Sequence, residues 1–140
     1  MNPAMNKAQV RGQDGLQIVK DAPMASDSIA HVGVDSEMLL AGEALFLKRE
    51  VVAPSTAAKR HYHSTASIIV ILEGKVRVNY GSGFQYADYA EAGEFIFIPA
   101  LMPHQPVNED PGAALVCLVI RNAPWDEVLP YEPSEEPPTF

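Results

Sequence analysis

Proline and glycine cut this chain into short pieces. Twelve prolines and nine glycines fall among its 140 residues. A proline inside a helix removes a hydrogen bond and clashes with the preceding turn, which argues against a helical bundle. Gly81, Gly83, Gly93, Pro99, Pro103, Pro106 and Pro111 separate β-rich runs at Ser67–Leu72, Lys75–Tyr80, Phe84–Tyr89, Glu94–Ile98 and Ala113–Ile120. A broken alternation over Met38–Val52 and a loop at Pro54–Ala58 precede them. Short strands at this spacing predict an all-β sandwich or barrel. Nearly half of the residues are hydrophobic, enough for one core at this length.

Three regions follow from the pattern. Residues 1–30 form a polar, aperiodic N-terminal segment, partly extended, in which Leu16–Val19 can add an edge strand. Residues 31–122 form the barrel, and residues 123–140 a proline-rich acidic tail pinned to it by Trp125 and Tyr131. Met1–Gly15 lacks the apolar segment of a signal peptide. No apolar run approaches the roughly 20 residues that span a membrane, so a cytoplasmic protein is expected. The net charge of −8 and pI near 4.8 disfavour nucleic acid and anionic membranes as partners. The single cysteine, Cys117, excludes an intrachain disulfide. Its apolar surroundings predict a buried, inert thiol.

Glu73 and Gly74 suggest a two-residue hairpin turn. That register sets Leu72 opposite Lys75, Val70 opposite Arg77 and Ile68 opposite Asn79. Ser67, Ile69, Ile71, Val76, Val78 and Tyr80 then share the inner face, with Tyr80 across from Ser67. Ile68, Val70 and Leu72 form an apolar row on the outer face. Such a row needs cover, which predicts a homodimer or higher homo-oligomer.

His61 and His63 stand two apart at the start of an apolar run, and His104 follows about forty residues later. Residues i and i+2 of a strand point to one face, so both imidazoles can bite one ion while Tyr62 points away. A third histidine from another strand completes a three-nitrogen cap and leaves positions open, the mark of a catalytic rather than structural site. Neutral imidazole suits Zn, Cu, Fe and Ni and does not choose between them; the expected cofactor is a divalent ion, Fe, Zn, Mn or Ni.

Together these residues resemble the two signature motifs of the cupin family. Against G-x5-H-x-H-x3,4-E-x6-G, His61, His63 and Gly74 match, Ser67 stands at the glutamate, and the opening glycine is absent. Against G-x5-P-x-G-x2-H-x3-N, Gly93, Pro99, His104 and Asn108 match and Leu101 replaces the middle glycine. The resemblance spans about Glu43 to Arg121. It implies a single-domain jelly-roll barrel, the cupin double-stranded β-helix, with a metal near one end of its cavity. It also implies that Asn108 is structural, capping a turn. Members include dioxygenases, isomerases, epimerases, lyases, decarboxylases and non-catalytic binding domains, and fold alone does not choose among them.

The serine at the glutamate position leaves three neutral imidazoles and a full +2 charge on the ion. That favours a chelating, anionic small-molecule ligand supplying its own oxygens. Three-histidine cupins resembling cysteine dioxygenase and the acetylacetone-cleaving dioxygenase share this ligand set. The expected function is an iron(II)-dependent dioxygenase acting on a chelating acid, diketone or phenolic compound. The alternatives are a Zn- or Mn-dependent isomerase or lyase, and a non-catalytic binding domain.

Ser67 and Tyr80 are expected to orient substrate or water, Ser67 being too short to ligate the ion itself. Phe95, Phe97 and Met102 form an apolar pocket wall, and Arg121 clamps a carboxylate at the cavity mouth. Lys59 shares the face of His61 by alternation. Glu73 is solvated in its turn, and His31 has no partner at ligand spacing.

Overall fold

The computed structural model describes residues 9–13, 18–20, 33–42 and 44–132. His31, Leu16 and the tail beyond residue 132 lie outside them. The strands in chain order are β1 (Gln9–Arg11), β2 (Ile18–Lys20), β3 (Val34–Ala41), β4 (Phe46–Val52), β5 (Thr56–Ala57), β6 (His61–Tyr62) and β7 (Ser67–Glu73). They continue as β8 (Lys75–Tyr80), β9 (Tyr86–Glu91), β10 (Phe95–Ile98), β11 (His104–Asn108), β12 (Leu115–Arg121) and β13 (Leu129–Pro130). The expected run over Met38–Val52 is thus a hairpin of β3 and β4, and the Pro54–Ala58 loop contains β5. Two antiparallel sheets face each other, ordered β10-β7-β12-β4-β3 and β13-β6-β11-β8-β9, with β5 beside β11 and β1–β2 a separate pair. This is an all-β jelly roll. Among the described residues no helix is long and apolar enough to cross a membrane.

The Glu73–Gly74 hairpin does not form. β7 pairs with β10 and β12, whereas β8 pairs with β9 and β11. The chain crosses from one sheet to the other at Gly74, whose φ is 89°. A side chain there would strain that backbone, and its Cβ would lie 3.1 Å from the Ala114 carbonyl oxygen. The face assignment survives, because a period of two does not depend on the partner strand. Ser67, Ile69, Ile71, Val76 and Val78 are all buried. The pairing across the turn does not survive. Tyr80 sits opposite His104 and Tyr86, and Ser67 opposite Ile98 and Arg121.

Polarity changes along the inside of the barrel. One end is closed by Ile71, Val76, Leu115 and Cys117, each apolar side chain contributing about 1.5–3 kcal/mol of burial. Burial pushes the Cys117 thiol up to about 12, so it stays protonated and inert, as expected. Towards the other end β4, β7 and β12 carry Lys48, Ser67 and Arg121, all buried. Asn108 sits between these elements. Its Nδ2 donates to the carbonyls of Val52, Ala53 and Ala113, and its Oδ1 accepts from the Asp110 N–H. It joins the end of β4 to the loop after β11, the structural role the motif implied.

Candidate metal centre

His61 and His104 are direct cross-strand partners on β6 and β11. His63 lies one step past β6 on the face of His61. Its carbonyl accepts from the Leu101 N–H at 2.8 Å, which ties it to the turn leading into β11. Leu101 holds φ at 67°, a conformation glycine adopts freely and leucine at a cost of about 1–2 kcal/mol. The turn keeps its shape although the motif's glycine is gone. Pro99 and Pro103 flank it and limit its alternatives.

All three imidazoles are buried, and their ligating nitrogens lie within 4.8 Å of one another. Each Nδ1 faces a backbone carbonyl: Lys59 for His61 at 2.5 Å, Met102 for His104 at 2.9 Å, and Glu127 for His63. A carbonyl only accepts, so each Nδ1 carries a proton. At His63 the Arg121 Nη2 donor faces Nε2, so that nitrogen keeps its lone pair. Three buried imidazoles, each oriented by a backbone carbonyl, fit a divalent cation, which they would bind as neutral ligands.

The His63 pKa is pushed down to about 3, first by burial, then by the Arg121 guanidinium and by His61. It therefore stays neutral at physiological pH. Unfolded histidine titrates near 6.5, so between the two values the unfolded chain binds more protons. The metal-free protein should lose stability as pH falls from about 6.5 towards 3. Thermal midpoints across that window test this, with His63→Gln expected to flatten the slope; equal slopes would contradict it.

What surrounds the histidines is unexpected. Arg121 is buried inside the barrel and not at its mouth. Its Nε donates to Ser67 Oγ at 3.0 Å, its Nη1 to Asp126 at 2.6 Å, and its Nη2 to His63 Nε2 at 3.2 Å. Asp126 also receives Lys48 Nζ at 2.5 Å, and Lys48 pairs with Glu50 at 2.9 Å. The Phe46 ring lies beneath both cations, which adds a cation–π contribution. A guanidinium thus stands next to Ser67, where the motif places a carboxylate.

The segment after β12 completes the centre. Asp126 holds the two cations, the Glu127 carbonyl orients His63, and β13 pairs with β6. Tyr131 is 3% exposed and its hydroxyl accepts from the Gly83 N–H, so it pins this segment as expected. Trp125, 58% exposed, does not. Lys48 was not singled out in the sequence; the signal available was its alternation with Phe46 and Val52 on β4. Nothing in the acidic tail distinguished Asp126 or Glu127.

A cleft of about 380 Å³ opens between β8, β9 and β10. Tyr80, Phe97, Met102 and His104 line it, with Asp88 and Glu94 as its carboxylates. The Tyr80 hydroxyl donates to Asp88 at 2.5 Å, a bond that raises its pKa and keeps it protonated. Phe97, 59% exposed, borders the cleft from outside the core. A second, small cavity of about 30 Å³ touches all three histidines together with Lys48, Ser67 and Arg121. His104 lines both. Lys59 is exposed and contributes its carbonyl to His61; Glu73 is also exposed.

Fold and site define a jelly-roll protein with a three-histidine metal centre. The sequence matches the cupin domain family over residues 48–121, and the chain belongs to that family. No curated protein matches it significantly in sequence. Its structure is similar to the polyketide cyclase RemF from Streptomyces resistomycificus, with 21% identity and a TM-score of 0.64 over 98% of this chain and 87% of that one. An RmlC-like cupin from Shewanella frigidimarina gives 17% identity and 0.59 over 70% and 82%. An oxalate oxidase gives 21% and 0.62 over 75% and 58%. At these identities the likeness speaks for the fold.

Proposed function

We propose that this cupin is a metal-dependent enzyme acting on a flat, chelating diketone or phenolic compound through non-redox chemistry, as an isomerase, lyase or cyclase. The observation that carries this reading is the Arg121 guanidinium beside a shell of three neutral histidines. Positive charge there favours oxygen donors of the ligand and disfavours raising the ion to a higher oxidation state. A divalent ion held by His61, His63 and His104 supplies Lewis acidity. The cleft supplies the rest. Phe97 and Met102 offer apolar walls for a planar body, and Tyr80 a protonated hydroxyl held by Asp88.

The second reading is an iron(II) dioxygenase, favoured by a ligand set of three histidines with no carboxylate among the described residues. Metal analysis of untagged protein, followed by incubation of each metal-restored form with a β-diketone and a phenol, separates the readings. Conversion without oxygen supports the first. Oxygen uptake matching ligand loss supports the second. Tight binding with no conversion under either condition would make the protein a binding module.

We also propose a cytoplasmic homodimer. Ile68, Val70 and Leu72 on β7 are continued on β10 by Phe95 and Phe97, which are 67% and 59% exposed. A second copy covering this apolar face would remove it from water. Light scattering should give twice the chain mass; a monomer across a wide concentration range would refute the dimer.

A further inference from the structure

We propose that Arg121 and the histidine-bound ion together form an anion subsite, which admits the ligand through one ionised oxygen such as an enolate or phenolate. The inference rests on His61, His63 and His104 binding a metal.

Three donors of Arg121 are committed in turn to Ser67, Asp126 and His63 Nε2. Once His63 gives that lone pair to a cation, Nη2 loses its acceptor, while Nε and Nη1 stay anchored. Arginine does not deprotonate in proteins, and a buried donor left unmade is costly. The Nη2 N–H therefore requires a new acceptor adjoining the ion. Among the described residues that line the small cavity beside the histidines, the one carboxylate is Glu50. Asp126 and Glu50 are paired with Arg121 and Lys48, and histidines that hold a metal do so as neutral imidazoles. The charge of the ion stays uncompensated until an anion arrives.

Size and surroundings narrow the class. The cavity against Arg121, Ser67 and the histidines is about 30 Å³, room for a donor atom and not for a whole substrate. The larger cleft, reached past His104, is bordered by Phe95 and Phe97 and carries Asp88 and Glu94. Its carboxylates repel a second negative charge on the ligand body. A conjugated molecule with a single ionised oxygen donor fits both spaces, and a small dianion does not. Ser67 and Asp126 are positioning residues: they aim the guanidinium.

Cobalt(II)-loaded full-length protein gives a direct readout, because the visible spectrum of the ion responds to its ligands. The probes are azide, a minimal monoanion, and tropolone, a conjugated chelator with one ionisable oxygen. Both should perturb the wild-type spectrum. Arg121→Gln should keep one equivalent of cobalt and bind azide at least roughly tenfold more weakly, the loss of one charge-assisted hydrogen bond. Arg121→Lys should recover part of that. Ser67→Glu, which sets a carboxylate beside the guanidinium, should also weaken azide. The charge-balanced pair Arg121→Gln with Asp126→Asn guards against a folding defect and should show the same loss. Equal azide affinity in wild type and in the cobalt-loaded Arg121 variants would overturn the inference alone. A wild-type protein that takes up no cobalt would overturn the metal reading itself.

Discussion

Replacing His63 with alanine is expected to reduce bound metal from about one equivalent to a trace. His63 does more than donate one of three lone pairs. Its Nδ1 is held by the Glu127 carbonyl and its Nε2 by Arg121, so the ring orientation is set from both sides. Two histidines remain in the variant, with the Arg121 guanidinium still anchored beside the vacated space. That leaves too few neutral donors and places a positive charge against the incoming ion. Elemental analysis after dialysis against a weak chelator is the measurement. His31→Ala is the control and should keep the full equivalent. A His63→Ala protein that also keeps it would remove the metal centre from this chain. The same variant leaves a carbonyl and a guanidinium N–H without their partner, so a drop of about 1–3 kcal/mol in stability should accompany the loss.

Asp126→Ala is expected to be the most destabilising single change among the buried charges. Asp126 meets both Lys48 and Arg121, at 2.5 and 2.6 Å, and all three side chains are nearly inaccessible. Removing one partner of a buried ion pair costs about 3–5 kcal/mol, because the remaining charge stays buried and uncompensated. Glu50 still pairs with Lys48, which places the cost at the lower end, mostly at Arg121. The thermal midpoint should fall by at least roughly 10 °C. Asp126→Asn keeps an acceptor oxygen and should lose less. Metal affinity should fall with stability, by roughly 10–100-fold, since the neighbouring Glu127 carbonyl orients His63. A midpoint within about 2 °C of wild type would show that water reaches these groups and that the network is not a closed one.

The fold class was legible because alternation is a local property. Ser67, Ile69 and Ile71 face inwards on any strand pairing that buries one side of β7, and so do Val76 and Val78 on β8. The pairing itself was not legible. Glu73 and Gly74 fit a tight hairpin as well as they fit a corner between sheets. Only the competing partners β10, β11 and β12 decide, and they come from up to about forty residues away. The same reason explains why Tyr80 was set against Ser67 and is found beside His104.

The three-histidine cluster was readable from spacing: His61 and His63 share a strand face, and His104 falls at the matching position of a second motif. The sequence by itself determined an all-β chain, its inward residues and three histidines able to converge. The charge around them belongs to the tertiary structure alone. Ser67 suggested an empty place where a carboxylate is usual. Arg121, Lys48 and Asp126 fill its surroundings from β12, β4 and the segment before β13. No local pattern could pair them, because a buried ion pair is defined by distance in space. Residues 78 positions apart meet at 2.5 Å only once the barrel has formed.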